Sequence, residues 1–224
     1  MLDYNFDSDY AREYGIVCGT DEAGRGPLCG PVVAAAVVLP VGCVIEGLDD
    51  SKKLTDKKRV KLYEEITEKA IAYGVAESTP AEIDEINILA ASLLAMRRAV
   101  DIVREKIQPD VVLIDGNRQT DFGVPSFTVV HGDAISQSIA AASVLAKVTR
   151  DRQMEDISKK YPEYKLDVHK GYPTPAHKLI VYELGPTEIY RKSFLGFLER
   201  DRDKLEEQLM KKKMNTEKSS KADE

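Results

Sequence analysis

The run Pro31–Leu39, PVVAAAVVL, constrains the fold more than any other part of the chain, because it has no polar residue to turn toward water. A short run of this kind, rich in β-branched valine, reads as a strand buried on a sheet. A second apolar run, Ile16–Asp21, precedes it, and the turn containing Gly24, Gly26 and Gly30 joins the two as a first hairpin. Neither run approaches the roughly 20 residues that a membrane-spanning helix needs. The opening MLDYNFDSDY is acidic where a secretory signal would be basic, so a cytoplasmic protein with no membrane partner is expected. Cys18, Cys29 and Cys43 are odd in number and form no C-x-x-C pair, which suggests neither a disulfide framework nor a zinc site; they read as small buried apolar residues.

Further along, Thr55 can cap a helix running to about Ala70, and Tyr73–Glu77 can form a third strand. Thr79–Glu82, T-P-A-E, has the form of a capping box with proline at the first helical position. Leu89, Leu93, Met96, Val100 and Val103 then mark an amphipathic helix over Ile88–Val103. Pro109 ends it and opens VVLID, a fourth strand finishing at Asp115, and Ser126–Val130 is a fifth. An alanine-rich helix from about Ile135 to Met154 has a face small enough to lie close on a sheet. The order predicts an α/β fold, a mixed five-stranded sheet flanked by helices with a helical C-terminal extension. With 224 residues and 43% hydrophobic content, one domain over residues 1–200 is expected, followed by a charged, partly disordered tail over 201–224.

Four acids fall where a sheet protein places a site. Asp21 and Glu22 end the first strand, Asp115 ends the fourth, and Asp133 sits between the fifth strand and its helix. Taken singly, each could be a strand-end cap or a surface charge. Together, oxygen donors without a histidine or cysteine cluster suit Mg²⁺ or Mn²⁺, and ions held this way assist in-line phosphoryl displacement. One difficulty is geometric: neighbours in a regular strand point to opposite faces, so Asp21 and Glu22 share an ion only if the strand breaks at Ala23–Gly24. The net charge of −6 is unusual for a nucleic-acid binder, but basic residues are gathered locally: Ser51–Lys61 carries six against one acid, and Lys147–Lys178 eight against five. Lys57, Lys58, Arg59 and Lys61 also fit a solvated helix face.

At this point the chain resembles bacterial ribonuclease HII, the type 2 branch of the ribonuclease H family. The resemblance is carried by GTDEAGRGP at Gly19–Pro27, DSKKL at Asp50–Leu54, IDG at Ile114–Gly116, HGD at His131–Asp133, ASVLAKVTRD at Ala142–Asp151 and HKGYPT at His169–Thr174. It implies a ribonuclease H-like fold with Asp21, Glu22, Asp115 and Asp133 as catalytic, metal-binding carboxylates. It implies cleavage 5′ of ribonucleotides in RNA/DNA hybrids or within duplex DNA, leaving 3′-hydroxyl and 5′-phosphate ends. Gly24, Arg25 and Gly26 would read the 2′-hydroxyl and nearby backbone, and Tyr172 would pack on the sugar at the RNA-to-DNA junction. Glycines admit such close approach, and the 2′-hydroxyl separates RNA from DNA. Ser51, Lys52, Ser143 and Lys147 become candidates for holding phosphates; His169 and His177 could do so when protonated, or could be structural. The chain departs from the family at Tyr190-Arg191-Lys192-Ser193-Phe194, where a histidine usually precedes the arginine, so that segment is left out of the site.

Type 3 enzymes carry a sizeable extra N-terminal substrate-binding domain, whereas some fifteen residues precede the first strand here, so type 2 is expected as the better match. In the expected mechanism Asp21 and Asp115 bridge or flank the ions, Glu22 and Asp133 complete the set, and water attacks in line with departure of the 3′ oxygen. The 2′-hydroxyl is a recognition handle, since no histidine pair is evident for cyclising chemistry. Two rivals remain: a nuclease of the same fold that cuts DNA structures without RNA, and a duplex-binding protein without turnover. A monomer is expected, with a sliding clamp as a partner of the tail.

Overall fold

The valine-alanine run forms β2 (Val32–Val38), antiparallel to both β1 (Val17–Ala23) and β3 (Ala72–Ser78), and every one of its residues is buried. β1 pairs in parallel with β4 (Val111–Asp115), and β4 in parallel with β5 (Ser126–Val129), giving a mixed five-stranded sheet in the order β3-β2-β1-β4-β5. The computed structural model describes residues 2–3, 5–49 and 51–220; the side chains of residues 52, 213 and 215–220 are outside that description. The described chain divides into two compact units, Met1–Arg25 with Pro31–Gln153, and Gly26–Gly30 with Met154–Glu224.

In the first unit, helices cover both faces of the sheet, as the sequence leads one to expect. On one face Cys18, Ala34, Ala36, Val38, Val112 and Ile114 pack against Ala95, Met96, Ala99, Val100 and Val103 of α3 (Pro80–Arg104). On the other, Ala35 and Val37 meet α2 (Asp56–Lys69) through Leu62 and Ile66, and α4 (Gln137–Lys160) through Ala140–Ala142, Val144 and Leu145. α2 begins at its Thr55 cap, and the Thr79–Glu82 capping box is complete: Glu82 Nα donates to Thr79 Oγ1 and Thr79 Nα to Glu82 Oε2. α3 therefore starts eight residues before Ile88 and is broken at Asn87, whose φ of 66° interrupts the helix while its Oδ1 caps Leu89 and Ala90.

Three further features differ from expectation. β1 runs on through Glu22 to Ala23, because β2 continues to offer ladder partners at Ala34 and Val33. α1 (Phe6–Tyr14) was not foreseen, although Phe6, Tyr10 and Tyr14 recur every four residues and close around Phe127 of β5. Of the cysteines, Cys18 and Cys29 are buried but Cys43 is only half-buried.

The second unit has its own core of Leu28, Cys29, Met154, Tyr164, Leu166, Val181, Tyr190 and Phe197, built from the end of α4, α5 (Leu166–His169), α6 (Pro175–Leu184), α7 (Phe197–Arg200) and α8 (Arg202–Ser220). α8 carries the helix well into the charged tail, with Arg202–Glu206 and Lys211–Glu207 ion pairs at four-residue spacing. The disorder expected of the last residues falls partly on 221–224, which lie outside the described residues. Among the described residues no helix is long and apolar enough to cross a membrane.

Gly19 sets how closely α4 approaches the sheet. A Cβ there would lie 2.4 Å from the Ser138 carbonyl carbon and the Ile139 nitrogen, both main-chain atoms that cannot swing aside. Overpacking of this kind costs about 1–3 kcal/mol, and more where backbone must move. Gly19→Ala should therefore lower unfolding stability by at least about 2 kcal/mol in a urea titration.

Candidate metal centre

Strand alternation puts Val17, Gly19 and Asp21 on the α4 side of β1. The β1–β4 ladder ends at Thr20 opposite Ile114, so Asp21 and Asp115 follow side by side at the same end of two parallel neighbours. β5 ends one turn before Asp133, and the chain reverses through His131, held at φ 57°, and Gly132. A Cβ on Gly132 would lie 2.7 Å from Ile139 Cδ1 and 3.2 Å from Asp115 Oδ1, so a glycine here lets the turn come back tightly without displacing either side chain. The reversal aims the Asp133 N–H at Asp115 Oδ1, 3.3 Å away.

The result is a group of three carboxylates, Asp21, Asp115 and Asp133, with one oxygen from each lying within 4.8 Å of the others. Asp21 is 3% exposed and Asp133 5%. Burial pushes the Asp21 carboxyl well above the usual range, and the neighbouring charges of Glu22 and Asp115 push it further. The Ser143 hydroxyl and the Glu22 N–H, 2.7 Å from Asp21 Oδ1, act in the opposite direction. Like charges crowded out of water are costly unless a cation joins them. An all-oxygen donor set without histidine or cysteine fits a hard divalent ion.

Glu22, the fourth expected carboxylate, is not in this group. β1 stays regular through it, and its Oε1 receives Arg25 Nη1 at 3.2 Å. Gly24, at φ 99°, allows buried Arg150 to pass: a Cβ would sit 2.1 Å from Arg150 Nε, which donates to the Pro31 carbonyl at 3.2 Å. Arg150 lies inside a motif noted in the sequence but was given no role there. Ser51 and Ser143 are both buried and joined hydroxyl to hydroxyl at 2.9 Å. Arg59, which could have lain on a solvated face, is instead buried, donating to the Ser51 carbonyl at 2.8 Å and to that of Leu54 at 2.5 Å. The carbonyls of a tight turn need donors, and a guanidinium supplies several in a fixed fork. Lys147 Nζ lies 2.6 Å from Asp151 Oδ2, and the Lys52 side chain is outside the described residues.

In the second unit Tyr172 is 43% exposed and its ring flanks Gly26, where a Cβ would be 3.7 Å away. His169 and His177 stack with centroids 3.9 Å apart. The Gly171 N–H donates to His169 Nδ1, so His169 Nε2 carries the proton given to the Tyr164 carbonyl. His177 donates from Nδ1 to the Tyr172 carbonyl at 2.9 Å and accepts the Tyr190 hydroxyl at Nε2, 2.8 Å away. Burial lowers the pKa of both rings, that of His177 to about 4. Of the two roles left open by sequence, the structural one holds for His177, which has no exposed surface to offer a phosphate. Arg191, in the segment left aside, is fully buried and donates to the Gly30 and Pro27 carbonyls at 3.0 and 2.8 Å.

The Ribonuclease HII family model matches residues 18–196. A Ribonuclease HII of Idiomarina loihiensis is 55% identical over 179 residues, covering 80% of this chain and 95% of that protein. Among solved structures, the ribonuclease H2 from Pyrococcus horikoshii OT3 superposes with a TM-score of 0.69 at 29% identity, covering 85% of this chain and 99% of its own. The PCNA:RNase HII complex from Archaeoglobus fulgidus contains a chain matching with a TM-score of 0.62 at 25% identity, over 80% of this chain and 95% of that one.

Two stability tests follow from the titrating groups. Asp21 is raised on folding, so its ionisation destabilises the native state as pH climbs through the ordinary carboxylate range, whereas at lower pH both states are protonated. In chelator, Asp21→Asn should raise Tm by a few degrees at neutral pH, about 1 kcal/mol being worth roughly 2–4 °C in a chain of this size, and the gain should vanish near pH 4. Added Mg²⁺ or Mn²⁺ should stabilise the unaltered chain more than the variant. His177 is lowered from 6.5 to about 4, so stability is present above pH 6.5 and lost as pH falls toward 4, by up to about 3 kcal/mol. His177→Gln should flatten that limb of the unfolding curve.

Proposed function

The chain belongs to the ribonuclease HII family, and we propose that it hydrolyses the phosphodiester 5′ of ribonucleotides, in RNA/DNA hybrids or embedded in duplex DNA, leaving 3′-hydroxyl and 5′-phosphate ends. The observation that carries this reading is the cluster of Asp21, Asp115 and Asp133, whose oxygens lie within 4.8 Å of one another. Mg²⁺ or Mn²⁺ held there would supply Lewis-acid activation of water and stabilise charge on the phosphate oxygens during an in-line displacement. Glu22, which the regular strand and its ion pair with Arg25 keep out of this group, would complete the donor set on giving up that pair and freeing Arg25 for the nucleic acid.

Recognition belongs to the remaining residues. Gly24, Arg25 and Gly26 offer main-chain groups and a guanidinium to the ribose, whose 2′-hydroxyl is the feature a DNA strand lacks. Exposed Tyr172 supplies a ring for the adjoining sugar, and Lys52 and Lys147 hold backbone phosphates, whereas Ser51 and Ser143, the other two candidates, are buried against each other and support Asp21 instead. The setting is cytoplasmic, acting as a monomer in DNA replication and ribonucleotide excision. By analogy with the relative found in a complex with PCNA, the C-terminal segment 201–224 is a candidate contact for a sliding clamp.

Product mapping on a duplex carrying one ribonucleotide tests the chemistry and the sugar recognition together. Cleavage should fall on the 5′ side of that ribonucleotide and leave a 3′-hydroxyl, while the same duplex of DNA alone should stay intact. Ends bearing a 2′,3′-cyclic phosphate would overturn the water attack. Asp21→Asn should cut turnover by more than about 100-fold, beyond the roughly 10–100-fold expected for loss of a mere outer partner of a metal ligand.

A further inference from the structure

The segment that presents Tyr172 does not hold its shape alone. Lys165, Lys170 and Gly171 have φ of 52°, 47° and 83°, and a left-handed conformation is unfavourable for the two lysines, whose Cβ crowds the following carbonyl oxygen. Such a segment persists only where its surroundings over-determine it. Here the surroundings are the two stacked imidazoles. His169 receives the Gly171 N–H, and His177 donates to the Tyr172 carbonyl itself. That carbonyl, which can only accept, sets the His177 tautomer, and the Tyr190 hydroxyl closes the far side of the ring.

The same frame reaches the glycine turn. The Leu28 N–H donates to the Gly171 carbonyl at 2.8 Å, the Arg191 N–H to the Leu28 carbonyl at 2.9 Å, and the Arg191 guanidinium takes Pro27 and Gly30 on either side. Gly26 and the Tyr172 ring are thereby parts of one hydrogen-bonded piece. We propose that His177 and Tyr190 are positioning residues for ribonucleotide selection: they touch no substrate and fix the Tyr172 ring beside Gly26. This rests on the reading of Tyr172 as the ring that packs on the sugar.

The test is a double-mutant cycle read as kcat and KM on a duplex with a single ribonucleotide, assayed well below each variant's unfolding midpoint. Tyr190→Phe removes one hydroxyl from a ring that stays in the core, and should lower kcat/KM about three- to tenfold, the effect of one buried hydrogen bond. In a Tyr172→Ala background the same change should cost nothing further, because there is no ring left to position. His177→Gln probes the other end of the bond, and its loss should vanish in that background too. Losses that multiply, or a Tyr190→Phe enzyme indistinguishable from the unaltered one, would overturn the proposal while leaving ribonucleotide-dependent cleavage intact. Cleavage by the unaltered chain that ignores the ribonucleotide would instead overturn the functional reading, and the proposal with it.

Discussion

Repulsion among three crowded carboxylates, two of them buried and one half-buried, is the constraint on which the rest of the first unit depends. Asp21, Asp115 and Asp133 bring their oxygens within 4.8 Å of each other with little water to screen them. The fold tolerates this through local donors: the Glu22 N–H and the Ser143 hydroxyl on Asp21, and the Asp133 N–H on Asp115. Three neutral donors offset part of the charge, not all of it. Burial first, and the neighbouring charges of Glu22 and Asp115 after it, raise the Asp21 carboxyl well above its usual range, and a divalent cation is the natural complement of such a site.

Those donors arrive because the sheet and α4 meet almost without side chains between them. Gly19 lets the first turn of α4 rest on β1, and the alanines of α4 keep the approach close for another turn, which delivers Ser143 to Asp21. Ser143 is steadied in turn by Ser51, and the Ser51 turn is held by Arg59. A residue on α2 is thus connected through two hydroxyls to a carboxylate on β1. The first two links, at 2.8 and 2.9 Å, are short and buried, so the Ser51 turn and α4 hold a close spacing beside the carboxylates.

The sequence reveals the carboxylates and the strands because both leave local marks. VVLID ends in its acid, and PVVAAAVVL has no alternative to a covered strand. The capping box at Thr79 and the Thr55 cap are equally local, and both helices start where those residues put them. What sequence could not reveal is long-range pairing. Arg59, Arg150 and Arg191 look like surface cations in a linear reading, yet each is committed to main-chain carbonyls, in the cases of Arg150 and Arg191 more than a hundred residues away. The break at Asn87 depends on a left-handed backbone that no periodicity announces, and α1 showed its four-residue aromatic spacing only to a reader who already knew that Phe127 was there to receive it.

This commitment changes how the charge of the chain should be read. A net charge of −6 already argues against a broad basic footprint, and buried guanidiniums reduce the cations available to phosphates still further. Counterion release by surface lysines and arginines is therefore a smaller part of binding than the local basic counts suggest. The deficit is met at the carboxylates, where divalent cations would turn a repulsive patch into an attractive one at the phosphate to be cut. Under the proposed function, discrimination would therefore have to come from the sugar more than from phosphates along a duplex. That places the demand on shape: a glycine turn open enough to admit a ribose, and a ring held still by neutral, buried partners whose protonation state does not change across the physiological range.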